Sequence, residues 1–483
     1  MNRKEKSISK NSIYYMVYVA LDVIFPFLSG MYVARILLPE VVGKVSYAQN
    51  IAQYFVILAF LGIPTYGLRE ISKVRYEQDK LSKIYSELLI INFVSTLIFG
   101  TIYLIVIFSI PSLRENIWLY LIAGGSIALN ILNNSWLYTG LEEFKYISIR
   151  NIIFKCLCFA CLIIFIKGPE DYYIYAGITV FGTAGNYILN MAYAPHFVKF
   201  TVHGLSFKRH IKPIVQLVVV NLAIELYSLV DVTMLGAMST KVNVAYYTYA
   251  QKINKILLQV INSFTAVVVP RLALYYHQNE QEKFNQLVSK DLEIIFAISI
   301  PIIVGLQIVS TDAISLLYGD AFSASASVLS MLSFLLIVSP TGYLLGSRIL
   351  LVSNHESQMI LCVGIGAAVN ITGNAILIPQ YAQIGAVAAS IFSEIVVTVI
   401  YVFLGRKYYK LIGVTKDFLK IIIAAVIMGF VTYFIGQLFS PLLIKILIQV
   451  TVAAVVYFGI LYIVKESIVY DYSNRLIKKI KKH

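Results

Sequence analysis

Apolar windows of about 20 residues recur along the whole chain, separated by short polar stretches rich in Lys and Arg. About 20 apolar residues are enough to cross a bilayer as α-helix. The pattern predicts fourteen such helices, at 11–34, 45–66, 84–108, 118–138, 148–166, 172–197, 213–235, 244–270, 292–316, 328–353, 357–378, 382–404, 418–439 and 442–464. Only "FSPLL" separates the last two. Interior Pro and Gly do not break the reading, because neighbouring helices re-satisfy freed backbone groups in a membrane. Composition points the same way. Of 483 residues, 59% are hydrophobic and 13% charged, against roughly 25% charged in soluble domains, and mean hydropathy is +0.78. A soluble fold has too little polar covering for that load. The expected fold class is an all-α polytopic membrane protein.

Lys and Arg set the orientation. Loops on the side of the N-terminus hold 29 of the 39, and the opposite side holds six, Arg35, Lys44, Arg114, Lys167, Lys241 and Lys445. The positive-inside rule then places both termini in the cytoplasm. The net charge of +14 follows as a set of topology signals beside anionic lipid, with no nucleic-acid partner. The basic start "MNRKEKSISK" reads as the anchor of the first membrane helix, not as a cleavable signal. Cys156, Cys158 and Cys161 spread around one helix and Cys362 lies in another, so they read as buried small residues, not metal ligands.

A short repeat divides the chain. "SYAQNI" at 46–51 recurs as "TYAQKI" at 248–253, and an arginine follows the tyrosine by 22 positions in both copies, Arg69 and Arg271. The motifs fall in the second and eighth predicted helices, so the repeat unit is six helices and the halves run parallel. The expected parts are residues 1–200, residues 201–404, and a third part, 405–483, with two further helices and a basic cytoplasmic tail.

The chain looks built to move something rather than change it. It has no phosphate-cradling G-x-x-x-x-G-K-[ST] loop, and its longest soluble loop is about 20 residues by the same helix count. All six histidines fall at helix ends or in loops. Ionisable residues inside membrane helices are costly and mark function by default. In the eighth helix Thr248, Lys252, Lys255, Gln259 and Asn262 are spaced 4, 3, 4, 3, one polar stripe on an apolar cylinder. The repeat copy shows Ser46, Asn50 and Gln53, a stripe without charge. The seventh helix carries Asn221, Glu225, Ser228 and Asp231, and a hairpin turning near residue 239 brings Glu225 to the depth of Lys252. Two readings stay open there. The residues form an ion pair that orders the hairpin, or Lys252 and Lys255 bind an anion while Glu225 or Asp231 takes a coupling cation or proton. Lys155 and Arg348 are further anion-binding candidates, with snorkelling to the interface as the bland alternative, favoured for Arg348. Asp22, near Pro26, and Glu394 have no obvious local partner and are second candidates for coupling. Asn370 and Asn374 share a helix face, for oxygen ligation or for interhelical hydrogen bonding. The cluster Tyr246, Tyr247 and Tyr249 joins 35 tyrosines in all, most of them interfacial belt residues.

The stretch "SWLYTGLEEFKYISIRN" (135–151) reads as the cytoplasmic turn between the fourth and fifth helices, where charge is cheap. It also resembles a recurrent stretch of the polysaccharide flippases, the Wzx-type transporters of O-antigen and capsule repeat units. So do "ARILLPEVVGKVSYAQNIAQYFVILAFLGIPTYGLREISK" (34–73), "FIKGPEDYYIYA" (165–176) and "LIPQYAQIGAVAASIFSE" (377–394). The resemblance implies the fold of the multidrug/oligosaccharidyl-lipid/polysaccharide exporters, two six-helix lobes in a V around a central cavity, with two extra helices here. It implies flipping of an undecaprenyl-pyrophosphate-linked oligosaccharide from the inner to the outer leaflet by ion-driven alternating access. Expected partners are that lipid-linked sugar, membrane lipids and other polysaccharide-assembly membrane proteins. Expected cofactors are none beyond a coupling Na+ or H+. A sodium site like that of the related peptidoglycan-precursor flippases would map to Asp231, Asn370, Asn374 and Thr398. The first-helix arginines of those relatives are missing, which favours the polysaccharide branch. A cation-coupled drug exporter of the same fold is the alternative, disfavoured by the excess of Lys over acids in the eighth helix. A membrane polymerase or transferase is disfavoured by outward loops of about ten residues or fewer.

Overall fold

The computed structural model describes residues 8–266, 268–353, 355–470 and 474; within these, the side chains of 8–13, 15–21, 23, 219–228, 356 and 414–416 lie outside the description. The described residues form helices and no strand. Nine of the described helices are long and apolar enough to cross a membrane, and Ile24–Ile36, Ile117–Leu132 and Leu229–Met238 are shorter apolar pieces. The chain divides into two compact units, Met1–Ala245 and Tyr246–His483.

The first unit runs through α1 (Ile8–Ile36), α2 (Pro39–Phe60), α3 (Ile63–Val74), α4 (Gln78–Ser109), α5 (Pro111–Arg114) and α6 (Ile117–Leu129). It continues with α7 (Ser135–Gly140), α8 (Phe144–Phe165), α9 (Tyr172–Val180), α10 (Asn186–Tyr193) and α11 (Lys208–Met238). The segment expected as one helix at 45–66 is bent. Leu61 and Gly62 both take left-handed backbone, φ 50° and 68°, and a side chain at Gly62 would meet Leu217 of α11 at 2.7 Å. Between α9 and α10 the turn widens to a π-helix at Phe181–Gly185, a feature frequent at functional sites.

Two polar ties fasten α11 within this unit. Near its start, buried Glu87 of α4 is bonded by His210 Nε2 at 2.9 Å, by the Arg209 guanidinium and by the Ser206 N–H at 2.6 Å. His210 Nδ1 is bonded in turn to the Tyr66 hydroxyl at 2.8 Å. A buried carboxylate persists only with such partners. Further along, Asn50 of α2 donates to the Leu229 carbonyl at 3.0 Å and to Thr233 Oγ1 at 2.8 Å.

From α12 (Lys241–Ala266), whose first residues belong to the first unit, the chain enters the second. There follow α13 (Val269–His277), α14 (Gln281–Tyr318), α15 (Ser325–Leu332), α16 (Leu335–Gly342), α17 (Ile349–Val352), α18 (Glu356–Gly405), α19 (Val414–Gly436) and α20 (Leu442–Ile463). The two helices expected at 357–378 and 382–404 are joined at a single non-helical residue, Ala382, with φ 48° and ψ −125°. The break falls in the short stretch Pro379, Gln380, Tyr381, Ala382, Gln383, where the sequence pattern also ends one helix and starts the next. Helices α19 and α20 pack on α14 through Ala297, Ile421, Ala424, Met428, Tyr457 and Leu461. Lys445 pairs with Asp312 at 2.6 Å, and the Tyr457 hydroxyl donates to the Ala297 carbonyl at 2.8 Å.

Candidate functional site

Within the first unit, polar side chains from four places in the sequence meet around a cavity of about 350 Å³. On α8, Asn151 and Lys155 sit four residues apart and so share a face; Arg150 lines the same space. From α1 comes Asp22. The entry to α7 supplies Asn133, Ser135 and Trp136, and the π-helical turn supplies Thr183, with Asn186 just after it. Asp22 therefore has local partners, contrary to the expectation from sequence. Its Oδ1 lies 3.0 Å from the Lys155 ammonium and accepts from Asn151 Nδ2 at 3.1 Å. Lys155 does not snorkel. Its side chain is 13% exposed, against 41% for Asp22. The buried Arg150 guanidinium stands 5.5 Å from the Tyr146 ring centre, a cation–π distance.

The basic stripe of α12 is distributed along its helix. Lys252 is half-buried, with its ammonium 4.3 Å from the Tyr249 ring centre; Lys255 and Gln259 are exposed and Asn262 is half-buried. In the repeat copy, Asn50 is engaged with α11 and Gln53 is exposed. The Glu225 side chain, with those of Asn221 and Ser228, lies outside the described residues, so the pair with Lys252 does too. Asp231 is buried in the first unit.

Arg348 departs from its expected snorkelling. It is 4% exposed, inside a π-helical turn at Tyr343–Arg348. It donates to the Thr265 carbonyl at 3.0 Å, to Thr265 Oγ1 at 2.8 Å and to Asp291 Oδ2 at 3.3 Å. The partner acid is 57 positions away, so sequence spacing gave no sign of it. Asn370 and Asn374 are buried together, Asn374 Nδ2 donating to Asn370 Oδ1 at 3.1 Å, with Ser390 Oγ 3.5 Å from Asn370 Nδ2. The Thr398 hydroxyl instead donates to the Val338 carbonyl at 3.2 Å. Glu394 is half-buried.

Sequence reasoning missed seven residues of the first-unit cavity: Arg150, counted only as a loop charge, and Asn133, Ser135, Trp136, Asn151, Thr183 and Asn186. One signal was available. "NILNN" places three amides in five positions at the end of a predicted membrane helix, and amides there need partners or a polar space.

Residues 8–275 match the family model of the polysaccharide biosynthesis proteins. The chain belongs to that family. As a polysaccharide biosynthesis protein it also matches the lipid II flippase MurJ model over residues 156–453, which sets it among the multidrug/oligosaccharidyl-lipid/polysaccharide exporters. It is similar to a putative O-antigen transporter of Escherichia coli (strain K12), 23% identical over 407 residues, 82% of this chain and 96% of that one. A probable low-salt glycan biosynthesis flippase of Haloferax volcanii is 25% identical over 212 residues, 43% of this chain and 44% of that one. In fold, this polysaccharide biosynthesis protein is similar to the lipid II flippase MurJ in an inward closed conformation, with TM-score 0.69 and 18% identity over 93% of this chain and 98% of that one. It is also similar to an inward-facing multidrug transporter of the MATE family, with TM-score 0.64 and 15% identity over 81% and 97%. The protein is thus a multi-pass membrane transporter of the flippase type, not a catalyst.

Proposed function

We propose that this protein carries an undecaprenyl-pyrophosphate-linked oligosaccharide from the inner to the outer leaflet of the bacterial cytoplasmic membrane, for surface polysaccharide synthesis. The single observation that carries the reading is a polar cavity with Arg150 and Lys155 on its wall, inside a unit of membrane-crossing helices. Such a cavity has no place in a purely structural bundle, because polar groups inside a membrane are expensive unless used. Family membership and the names of the relatives support the same substrate class.

In this mechanism the isoprenoid tail stays in lipid and only the head group enters the protein. Lys252 and Lys255 neutralise the pyrophosphate, since an unpaired charge in low dielectric costs several kcal/mol. Gln259, Asn262 and Gln53 hydrate its path. Asp22, Asp231, Glu225, Glu394 and the Asn370–Asn374 pair are the places where a coupling Na+ or H+ acts, and both termini face the cytoplasm.

Deleting the gene and analysing accumulated lipid-linked sugars tests the reading. Repeat units stranded on the inner leaflet, with surface polymer lost, is the expected result. Unchanged polymer in a strain with no second flippase would refute it. Accumulation of the peptidoglycan precursor instead would move the protein to the lipid II branch, the reading favoured by the match to the MurJ model.

A further inference from the structure

Each unit fastens an irregular strap of chain to one of its long helices, and the two fastenings match. In the first unit Gln78 Nε2 of α4 donates to the Phe197 carbonyl at 2.8 Å. Ser82 Oγ accepts from the Lys199 N–H at 3.1 Å, and Ser86 Oγ from the Thr201 N–H at 2.9 Å. In the second unit Gln281 Nε2 of α14 donates to the Tyr408 carbonyl at 2.8 Å. Asn285 Oδ1 accepts from the Lys410 N–H at 2.9 Å, and Ser289 Oγ from the Ile412 N–H at 2.8 Å. The three helix positions recur 203 residues on, and the three strap positions 211 residues on. On each helix the three lie four apart, along one face. Every one of these bonds takes a backbone group of the strap, so its side chains are left for other contacts.

Helix length sets the depth of the straps. α4 has 32 residues and α14 has 38, about 48 and 57 Å at about 1.5 Å per residue, against a hydrocarbon core of about 30 Å. In α4 the charged residues end at Glu87, one position after the last strap bond, and in α14 no charge falls between Glu293 and Asp312. The fastened ends are therefore the parts of each helix that stand at the headgroup layer. There the straps show both apolar and cationic side chains. Phe200 is 58% exposed and Leu411 45%, with Val202 and Ile412 exposed beside them. Lys199, Lys208 and Lys212 are exposed on the first strap and its continuation into α11, and Arg406, Lys407 and Lys410 on the second. The stretches "FVKFTVHGLSFKRHIK" (197–212) and "RKYYKLIGVTK" (406–416) each hold four Lys or Arg and no Asp or Glu. Water answers the lysines but not the apolar side chains, and hydrocarbon does the reverse. The boundary of an anionic leaflet offers phosphate and acyl chain side by side.

We infer that the two straps are matched docking surfaces for anionic phospholipid, with Lys199 and Lys410 on the headgroup phosphates and Phe200 and Leu411 in the adjoining acyl boundary. Lys208 and Lys407 add a second cation to each. The inference goes beyond the flippase reading, since it concerns the surrounding lipid and not the cargo.

Native mass spectrometry of the purified full-length protein, mixed in detergent with phosphatidylglycerol or with phosphatidylcholine of the same acyl chains, tests this. The expected result is two retained phosphatidylglycerols per chain, bound about tenfold more tightly than phosphatidylcholine, as basic residues at a headgroup give. Lys199→Gln with Lys208→Gln should remove one of the two, Lys407→Gln with Lys410→Gln the other, and all four together both. Lys44→Gln, whose ammonium already pairs with Glu40 at 2.7 Å, should keep both. Phe200→Ser with Leu411→Ser should weaken retention of either lipid and leave the preference between them. All these substitutions spare the backbone bonds of the straps, and the thermal transition checks each variant. Should the fourfold variant not fold, the two paired variants carry the test, one lipid lost from each. Equal retention of both lipids would overturn the inference and leave the exposed faces to a protein partner. An unchanged preference in the fourfold variant would overturn the location. Release of the lipid by an equal concentration of inorganic pyrophosphate would overturn the lipid surface in favour of a site for free phosphate.

Discussion

Helices α2 and α12 carry the two copies of one short motif, and the protein uses its fifth position in opposite ways. In the first copy Asn50 gives its amide hydrogens to the Leu229 carbonyl and the Thr233 hydroxyl of α11. In the second, Lys252 stands at the matching place, half-buried, with its ammonium over the ring of Tyr249. The matching Tyr47 of the first copy also has an ammonium over its ring, 3.4 Å from the centre, but Lys241 from outside the motif supplies it. A repeat thus conveys where a side chain stands on a helix and leaves open what it does there. One stripe position became adhesive between helices; its counterpart kept a cation at the edge of an aromatic surface.

The contrast between polar groups that bind helices together and polar groups proposed to meet cargo can be broken experimentally. The largest effect is expected at the adhesive extreme. Asp291→Leu strands the buried Arg348 guanidinium and should lower stability by about 3–5 kcal/mol, seen as lost expression or an early thermal transition in detergent. Asp291→Leu combined with Arg348→Met should recover most of it, because the double variant buries no lone charge. Next comes the cargo extreme. Lys252→Gln with Lys255→Gln should reduce flipping about tenfold or more, about 1.4 kcal/mol in binding terms, without moving the thermal transition. A matched loss of stability would assign these lysines to the adhesive class. Asn50→Ala should show the inverse profile, a stability loss of about 1 kcal/mol from membrane hydrogen bonds and a smaller change in flipping.

The smallest effect lies outside the spans. Asp171 Oδ2 accepts from the backbone N–H groups of Lys167 at 2.8 Å and Gly168 at 3.0 Å, and these bonds hold its carboxyl below the usual range. Its folded value is the lower one, so its contribution is complete above the ordinary carboxylate range and fades as pH falls through the folded value. Asp171→Asn should therefore shift the thermal transition slightly at neutral pH, with the difference from wild type starting to shrink below about pH 4 and gone only under the folded value of Asp171.

The sequence was a good guide wherever one local pattern decides the outcome. Apolar runs of membrane length located most of the helices, because hydrocarbon admits backbone only with its hydrogen bonds closed internally. It was a poor guide where the decisive contact joins distant positions. Asp22 looked solitary because Lys155 and Asn151 approach it only when α1 lies on α8. Arg348 looked free to reach water because Asp291 is far away in the chain. The α12 stripe stood out for the opposite reason. Five polar residues on one helix are visible in a line of text, whereas the polar wall of the cavity around Trp136 is gathered from four segments, one of them a widened turn that no periodicity announces. The bend at Leu61–Gly62 was hidden likewise, with Phe60 and Ile63 on either side of it, whereas the break at Ala382 falls where the sequence pattern already parts two helices.

The two ties on α11 bear on where this chain tolerates being cut. Glu87 needs Ser206, Arg209 and His210, and Asn50 needs the stretch around Leu229, so a fragment ending near residue 200 would expose a naked carboxylate and an idle amide in its own interior. A gene fission placed after Met238, between the end of α11 and the start of α12, keeps both sets of partners on one polypeptide. Co-expressed halves divided there should reassemble far better than halves divided six helices in.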